Sequence, residues 1–550
     1  MPPTTPIPAP LPPAGRKEPA QPGVARDWGI ASIAGLCAMA LYVATLMPTV
    51  GFIDAPRYAA FVHQFHLGVA SIEHPLFVLA AKPFAALPIG DLAYRVNLAT
   101  AFFGAVAVAL GALLILRATG SRYAALVGAL AFASSYDHWW LATEAEVYTL
   151  EIALLFTSLL FAIGRPAGRP PALARAAFFV GLATLNHQAA LITLGPLVVY
   201  ALASIPTSER GRTLIRLGVA FAAGLAPYFL LFIGHTIVAG WAATAHAAAG
   251  GEFQSSFFAP IGVRGYTRAA ATLVIMTGYQ FYPFHTAAWI AGSMHVARAD
   301  PRRAWLIAAI GVLNALVVLA YDVPDRIYFY LPSFAMLALF LGEGLAVLER
   351  FTREKRRSVR NAILVFMALP ICGKMVHYRL ADDFVRRFMG GEKWVFEQIE
   401  TKASVRYPLI LPRIPTRDNL AYYTNPDKSE VRAGEHYRRV LEALPPGALV
   451  VDDWYHGYSI MADYYQGVQS LRTDVEVLRW FERWGGTPEE REALAEQILY
   501  EIDAGRSLFL ATSQYPSSTL AERIVAAGHR IEPWADIEEL RRVVSGNRKP

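Results

Sequence analysis

Hydrophobic positions along the chain fall into two regimes. Residues 28–375 consist of long apolar segments separated by short polar turns, whereas residues 376–550 carry charged positions at an ordinary frequency. A helix that crosses a bilayer needs about 20 mostly apolar residues. The pattern therefore predicts about eleven transmembrane helices, over residues 28–49, 93–116, 123–136, 147–163, 174–190, 191–204, 213–233, 267–297, 304–321, 327–348 and 359–375.

One of these segments, residues 267–297, is too long for a single straight helix. It contains Tyr282-Pro283-Phe284, and a proline inside a helix removes a backbone hydrogen bond and clashes with the preceding turn. We expect a break there. Several other segments are short, which predicts that these helices are tilted or shielded by their neighbours.

The pattern changes in the last part of the chain. Residues 437–444 are helical in pattern and lead into a strand-like run at 447–451, and a second strand-like run covers 507–511. Between the two runs, residues 488–503 have the periodicity of an amphipathic helix. Alternating strands and helices predict a small α/β domain over residues 376–550.

Charge is distributed unevenly in the same way. The whole chain is 55% hydrophobic and 17% charged, against about 25% charged residues in a typical soluble domain. Basic turns alternate with acidic turns along residues 28–375, and basic turns of membrane proteins face the cytoplasm. This predicts a cytoplasmic N-terminus with a disordered tail over residues 1–27. An odd number of spans then places the C-terminal domain outside the cytoplasm.

Composition narrows the class of partner. The net charge of +6 fits loops that orient helices better than a nucleic-acid surface, so no nucleic-acid partner is expected. Richness in Ala, Arg and Pro is typical of a GC-rich bacterium, so we expect a multi-pass protein of the plasma (inner) membrane, with a eukaryotic endomembrane as the alternative. Cys37 and Cys372 fit no metal-binding spacing. The sequence has no Walker A loop and no HExxH motif, which leaves ATP-driven transport and zinc proteolysis unsupported.

Polar side chains gather in the turns that face outwards in this topology. Asp54 follows the first span and opens a long outer loop, residues 50–92, whose amphipathic stretch 57–70 is expected to lie along the membrane surface. Ionisable groups at membrane depth are costly and usually face a cavity or one another. The candidates in the outer turns are Asp54, Arg57, Glu73, His74, Glu144, Glu146, Tyr148, His187, Asp325 and Arg326.

The second outer turn supports two further predictions. Glu144 and Tyr148 are four residues apart, a spacing that places them on one face of a helix. Trp139 and Trp140 fit anchors in the interfacial belt. Several of the candidates also have a structural alternative. Asp54 could be a helix cap and His187 a packing residue. Glu144 and Glu146 could be solvated turn residues, and Asp325 with Arg326 an ion pair.

Five short motifs occur in an informative order. They are Asp54; His74-Pro75; Trp140 with Glu146-Val-Tyr-Thr-Leu150; Gly181-Leu-Ala-Thr-Leu-Asn-His187; and Tyr321-Asp-Val-Pro-Asp325 with Phe329-Tyr-Leu-Pro332. In this order they resemble the protein O-mannosyltransferase-like family of membrane proteins, which is similar to the GT-C glycosyltransferases. The resemblance covers residues 45–350 approximately, and Arg472-Thr-Asp474-Val475 resembles a motif of that family's outer domain.

Two positions depart from the family's pattern. The family usually has Asp-Ser-Gly-Glu in the first loop, where this chain has Asp54-Ala55-Pro56-Arg57. Arg57 therefore replaces an acid. The family's His-Pro usually continues with Pro-Gly, but Leu76 follows Pro75 here. Both changes bear on the class of acceptor and on activity.

The resemblance implies a mainly α, GT-C-like fold and a mechanism. GT-C enzymes take a sugar from a polyprenyl-phosphate or pyrophosphate donor whose lipid tail lies between helices. An acid of the outer loop deprotonates or orients the acceptor hydroxyl, which attacks the anomeric carbon with inversion. Positive charge or hydrogen-bond donors stabilise the departing phosphate.

Carried over to this chain, the resemblance assigns roles to the outer-turn residues. Asp54 is the expected base, with Glu73 or Glu146 assisting. The expected substrate- or phosphate-binding residues are Arg57, His74, Tyr148, His187, Asp325 and Arg326. Mannose is the sugar that family-level analogy suggests, and the acceptor is a protein, a lipid or a polysaccharide. No cofactor is required, although the carboxylates leave room for a divalent cation.

Two other functions stay open. A transporter or flippase of lipid-linked saccharide would be expected to show internal repeats and broken helices, and only residues 267–297 look broken. A catalytically silent membrane scaffold would fit the replacement of an acid by Arg57.

Overall fold

The computed structural model of the chain describes residues 24–52, 54–164, 169–250, 262–321, 326–388, 422, 425–452, 457–480, 488–511, 519–534, 537 and 540–546. Within these residues the chain is mainly helical, and its C-terminal part contains a small sheet. The prediction of a mainly α membrane protein followed by a small α/β domain is confirmed.

Sixteen α-helices precede the C-terminal domain in the part of the chain that the structure describes. They are α1 (Val24–Ala44), α2 (Ala55–Gln64), α3 (Pro75–Ala85), α4 (Leu92–Thr119), α5 (Arg122–Ala133), α6 (Tyr136–Ala142), α7 (Tyr148–Ile163), α8 (Pro170–Asn186), α9 (Leu194–Ser204), α10 (Arg210–Ala239), α11 (Trp241–Ala248), α12 (Gly262–Gln280), α13 (Pro283–Ala299), α14 (Pro301–Leu319), α15 (Leu331–Thr352) and α16 (Arg357–Phe388).

The described residues contain fewer clear candidate spans than the eleven predicted. Six helical stretches among the described residues are long and apolar enough to cross a bilayer, namely Asp27–Ala44, Leu92–Thr119, Thr207–Ala239, Pro301–Leu319, Ile327–Thr352 and Arg357–Ala381. Other predicted segments coincide with apolar helices of only 10–17 residues. The count of eleven is therefore not confirmed, whereas the multi-pass character is.

Local chemistry explains where many helices begin. Asp91 and Ser121 cap α4 and α5, because their side chains accept hydrogen bonds from backbone N–H groups three residues on. Proline, whose fixed φ suits a helix start, opens α3 and α8. Pro283 acts in the same way, since α12 ends at Gln280 and α13 begins at Pro283. The predicted break is confirmed.

Glycines allow two pairs of helices to cross closely. Gly181 of α8 lies against Gly224 of α10, and Gly292 of α13 lies against Gly344 of α15. A Cβ atom at any of these positions would collide with backbone atoms of the facing helix. Small residues promote helix association in membranes because lipid offers no hydrophobic driving force between helices.

The C-terminal domain is built on a five-stranded sheet. Its elements are α17 (Ala433–Ala443), β1 (Leu449–Asp452), α18 (Tyr458–Tyr465), β2 (Glu476–Arg479), α19 (Pro488–Asp503), β3 (Leu508–Ala511), α20 (Thr519–Ala526), β4 (Arg530–Pro533) and β5 (Arg541–Val544). The strand order is β2-β1-β3-β5-β4, with β1 parallel to β2 and β3, and β5 antiparallel to β3 and β4. The carboxyl ends of β1 and β2 coincide, because Asp452 pairs with Arg479.

The C-terminal domain packs on one end of the helix bundle. The backbone N–H of Lys428 donates to the carbonyl of Thr45 at 3.0 Å, just beyond α1, and Phe52 packs edge-on against Tyr422. We call this end, which also holds Asp54 and His74, the polar end. It brings the first loop and the C-terminal domain together around the predicted site.

Candidate functional site

Asp54 is positioned at the start of α2. Its backbone carbonyl accepts from the N–H of Tyr58 at 3.0 Å, but its side chain makes no capping hydrogen bond. The carboxyl group is therefore not used as a helix cap. Burial raises the pKa of Asp54, and the positive charges of Arg57 and Arg479 oppose that rise. A base that must be ionised thus sits beside two guanidinium groups that favour its charged form.

A network of ion pairs connects Arg57 to the C-terminal domain. Arg57 is buried, at 5% exposure, and its Nε lies 3.4 Å from Oδ2 of Asp463 on α18. The same oxygen lies 3.1 Å from Nη2 of Arg479 at the end of β2. Arg57, proposed from sequence as a phosphate ligand, therefore has a resident acidic partner that the sequence did not reveal.

A second group of predicted residues forms an aromatic and imidazole cluster. The ring centroids of His74 and His187 are 5.4 Å apart, and those of Tyr148 and His187 are 5.1 Å apart. Nδ1 of His187 lies 2.9 Å from Oε2 of Glu151, one turn into α7. Glu151 was not a candidate, yet it orients the imidazole ring of His187.

The protonation state of His74 follows from its contacts. Its Nδ1 lies 2.8 Å from the carbonyl oxygen of Asn186, and a carbonyl only accepts, so Nδ1 carries the proton. Burial and the neighbouring His187 lower the pKa of His74 to about 3. His74 is thus neutral at pH 7, and its Nε2 is an acceptor, a poor partner for a phosphate oxygen.

Sequence reasoning missed a buried ion pair at the polar end. Nζ of Lys428 lies 2.6 Å from Oε2 of Glu144, and both side chains are fully buried. The hydroxyl of Tyr422 donates to Glu144 at 2.7 Å, and Nζ of Lys428 lies 3.1 Å from the ring centre of Trp140. Burial lowers the pKa of Lys428 to about 8 against the attraction of Glu144 and Glu146. The amine is therefore charged at pH 7.

The two acids proposed as assistants have different surroundings. Glu146 is buried at 3% exposure and lies close enough to Lys428 for their charges to interact. Glu73 closes its own loop instead, because its carboxylate accepts from the N–H of Ala70 and contacts Nε2 of His66, each at 2.6 Å. Of the two, only Glu146 faces the buried pair.

Two predictions for the second outer turn are wrong. Trp139 and Trp140 are fully buried, and their N–H groups donate to Thr45 and Tyr422, so they are core residues and not interfacial anchors. Helix α6 ends at Ala142 and α7 begins at Tyr148, so Glu144 lies in a turn and does not share a helix face with Tyr148. The turn is what lets Glu144 point at Lys428.

Two of the candidates from the sequence, Asp325 and Arg326, fall in one short turn. Asp325 and the side chain of Arg326 lie outside the described residues. Within the described residues, no group of three or more His, Cys, Asp or Glu side chains is arranged to hold a metal ion. The roles expected for Asp325 and Arg326 stay predictions. The binding of a divalent cation stays a hypothesis.

The fold is that of known membrane proteins. ArnT from Cupriavidus metallidurans bound to undecaprenyl phosphate superposes with a TM-score of 0.53 at 13% identity, covering 96% of this chain and all 100% of ArnT. ArnT in the apo state gives a TM-score of 0.54 at 12% identity, covering 95% and 98% of the two chains. The chain is thus a multi-pass membrane protein with a GT-C-like fold.

Sequence comparison narrows this class. Residues 54–211 match the family model described as the protein O-mannosyl-transferase TMEM260 N-terminal domain. Over 407 residues the chain is 28% identical to protein O-mannosyl-transferase TMEM260 of Mus musculus, a match that covers 64% of this chain and 56% of the mouse protein. The chain is therefore a relative of protein O-mannosyl-transferase TMEM260 that spans little more than half of that relative's length, and the resemblance inferred from its motifs is confirmed.

Proposed function

We propose that this protein is a GT-C-type membrane glycosyltransferase, a hexosyltransferase that moves a sugar from a polyprenyl-phosphate donor to an acceptor hydroxyl. The observation that carries the proposal is the position of Asp54. It opens the region that matches the O-mannosyl-transferase family model, and its carboxyl group is free of any capping bond beside two guanidiniums.

The chemistry of the polar end fits this reaction. The acceptor hydroxyl needs a base, and Asp54 supplies a carboxylate at the entrance of α2. The leaving phosphate needs positive charge, and Arg57 with Arg479 supplies it nearby. The hydroxyl oxygen forms the new bond to the anomeric carbon, its proton passes to Asp54, and the bond from that carbon to the phosphate oxygen breaks with inversion. Polyprenyl phosphate leaves with the electron pair of that bond.

The donor and the sugar are chosen by analogy. A fold neighbour of this chain was crystallised with undecaprenyl phosphate, which makes a polyprenyl-phosphate sugar the first donor to try. The name of the mouse relative points to mannose as the sugar and to protein as the acceptor. We propose the plasma membrane as the site of the reaction, with Asp54 and the C-terminal domain on its extracytoplasmic side.

A transfer assay tests the proposal. The full chain in liposomes receives radiolabelled polyprenyl-phosphate mannose or glucose and an acceptor extract from the host cell. The wild type is expected to label the acceptor, and Asp54→Asn to lose at least about 100-fold of that rate, as expected for loss of a general base. Transfer at an undiminished rate by a folded Asp54→Asn protein would refute the role of Asp54, and Glu146 would be examined next.

A further inference from the structure

The charges around Asp54 come from two separate parts of the chain. Arg57 lies on α2, one turn after Asp54, whereas Asp463 lies on α18 and Arg479 at the end of β2. A single oxygen, Oδ2 of Asp463, lies 3.4 Å from Nε of Arg57 and 3.1 Å from Nη2 of Arg479. The C-terminal domain therefore reaches the first loop through one bridging carboxylate.

Burial makes this bridge necessary. The side chain of Arg57 is only 6% exposed, whereas that of Asp463 is 35% exposed. A guanidinium removed from water is unfavourable unless an acid or several acceptors compensate it. Asp463 compensates Arg57 and at the same time holds Arg479, whose own side chain is 34% exposed. Removing the bridge would leave two guanidiniums facing Asp54 without their shared acid.

The position of the bridge in the sheet also suggests a role in binding. Arg479 is the last residue of β2 and pairs with Asp452, the last residue of the parallel strand β1. Open α/β sheets bind their ligands outside the carboxyl ends of their strands. This edge of the C-terminal domain is the one whose Arg479 reaches Asp54. An acceptor held at the edge would thus meet the candidate base.

We propose that Asp463 and Arg479 are positioning residues of the transfer reaction, so that the C-terminal domain completes the active site. This proposal rests on the function proposed above. Asp463 fixes the two guanidiniums beside Asp54, and Arg479 favours the ionised form of Asp54. The two residues have opposite effects on the pKa of Asp54, since Asp463 carries a negative charge and Arg479 a positive charge.

Variants of these two residues should therefore shift the titration of Asp54 in opposite directions, which a purely structural role would not produce. Asp463→Asn removes the negative charge that Arg57 and Arg479 share, which favours ionised Asp54 and moves its titration to lower pH. Arg479→Met removes a positive charge and moves the titration to higher pH. Glu144 and Lys428 at the polar end are paired with each other, Glu146 lies near Lys428, and Glu73 contacts His66 within the first loop. All of these groups are unchanged in both variants.

The neighbouring helix α3 carries the cation Lys82, whose Nζ donates to the carbonyls of Val62 and His63 at the other end of α2 and is the same in all the variants. His74, at the start of α3, packs its ring against Tyr58 of α2 at 5.6 Å between centroids. Burial keeps His74 neutral above a pKa of about 3. The titration of Asp54 is therefore followed above pH 4, where His74 does not change its charge.

The experiment uses the full-length protein in liposomes. The pH dependence of kcat/KM is measured with polyprenyl-phosphate mannose for the wild type, Asp463→Asn, Arg479→Met and the control Arg523→Gln. Arg523 forms an ion pair with Glu492 on the surface of the C-terminal domain. The acid limb is expected to move down by about half a pH unit or more in Asp463→Asn, up by a similar amount in Arg479→Met, and not at all in the control. Equal acid limbs in all four proteins would overturn the proposal.

A second readout does not depend on turnover. A hydrophobic carbodiimide modifies protonated carboxyl groups, and mass spectrometry gives the modified fraction of Asp54 as a function of pH. Opposite shifts of this midpoint in Asp463→Asn and Arg479→Met support the charge network even if no donor yields product, in which case only the proposed function has failed. Unshifted midpoints refute the network even if the wild type transfers sugar.

The swapped pair Arg57→Asp with Asp463→Arg is expected to recover folding yield relative to either single variant, since it restores the bridge.

Discussion

Lys428 and Glu144 meet at 2.6 Å in a space that solvent does not reach. Taking both charges out of water is unfavourable, and the pair persists because its members are close and have further partners. Tyr422 donates to Glu144, and the ring of Trp140 faces the ammonium group. Since Lys428 and Glu144 are 284 positions apart, the pattern of the chain held no signal that would have paired them.

Removing one member of this pair should be costly. Lys428→Met leaves Glu144 as an uncompensated buried charge, so we expect a loss of roughly 3–5 kcal/mol in the free energy of unfolding. Lys428→Met with Glu144→Gln should recover much of it. Denaturant titration of the protein in detergent measures the free energy of unfolding of both variants.

The matched control is the exposed pair of Arg523 and Glu492. Arg523→Met should change stability little, because exposed ion pairs contribute little to folding. If Lys428→Met were as mild as this control, the buried pair would not be a structural determinant of the polar end.

His74 predicts a dependence of stability on acid pH. Its pKa in the folded protein is lowered to about 3 from an ordinary value of 6.5. Between these values the unfolded chain binds a proton that the folded chain does not, so stability falls as pH falls from 6.5 towards 3. The slope from His74 is at most about 1.4 kcal/mol per pH unit.

The variant His74→Gln isolates this contribution. It should unfold with a flatter pH dependence than the wild type below pH 6.5, measured by thermal unfolding in detergent at a series of pH values. Its stability at pH 7.5 gives the baseline loss of packing. An unchanged pH slope would show that His74 is protonated in the folded state.

At the scale of helices and strands, hydrophobic periodicity was a reliable guide. The break before Pro283 and the helix at Pro488–Asp503 lie where the sequence predicts them, because proline chemistry and amphipathic patterning are local. Helix α3 was missed, since it lies in the first loop and Pro83 interrupts its pattern. The count of eleven spans is not confirmed, because several of the predicted segments coincide with apolar helices of 10–17 residues, which are short for a span.

The candidate site was predictable only in part, for the same physical reason. Asp54, His74, Tyr148 and His187 follow or begin helices at one end of the bundle, so a topology argument brings them together. Asp463, Arg479 and Lys428 come from the other domain, and their approach depends on how the two parts pack. Arg57 is an example. It replaces an acid of the family's pattern, and Asp463 of α18 places a carboxylate beside it that the sequence alone did not predict.

The crossing of α13 and α15 provides a test at the scale of helices. A Cβ atom at Gly344 would collide with the backbone of Ala288, so Gly344→Ala should force the helices apart and lower stability by roughly 1–3 kcal/mol. Gly373 of α16 has open space around it, and Gly373→Ala should be neutral or slightly stabilising. Thermal unfolding of both variants in detergent compares them. Equal stabilities would contradict a close crossing at Gly344.

At the scale of the whole molecule, the orientation in the membrane is a prediction from the distribution of basic turns. It can be tested with single cysteines in a chain whose exposed Cys37 and Cys372 are replaced by serine. Val525→Cys, exposed in the C-terminal domain, should react with a membrane-impermeant maleimide in intact cells. Arg356→Cys, in the exposed basic turn before α16, should react only after lysis. The reverse pattern would place the polar end in the cytoplasm.

The central claim is that the polar end joins a sugar covalently to an acceptor. Its most direct test is the stoichiometry of a single turnover in liposomes, with glycosylated acceptor and released polyprenyl phosphate quantified in the same sample. Transfer predicts that the two products appear together in a one-to-one ratio with the wild type, and that with Asp54→Asn both form at least about 100-fold more slowly. Movement of intact donor across the bilayer with neither product would contradict the claim and favour a transporter of lipid-linked saccharide.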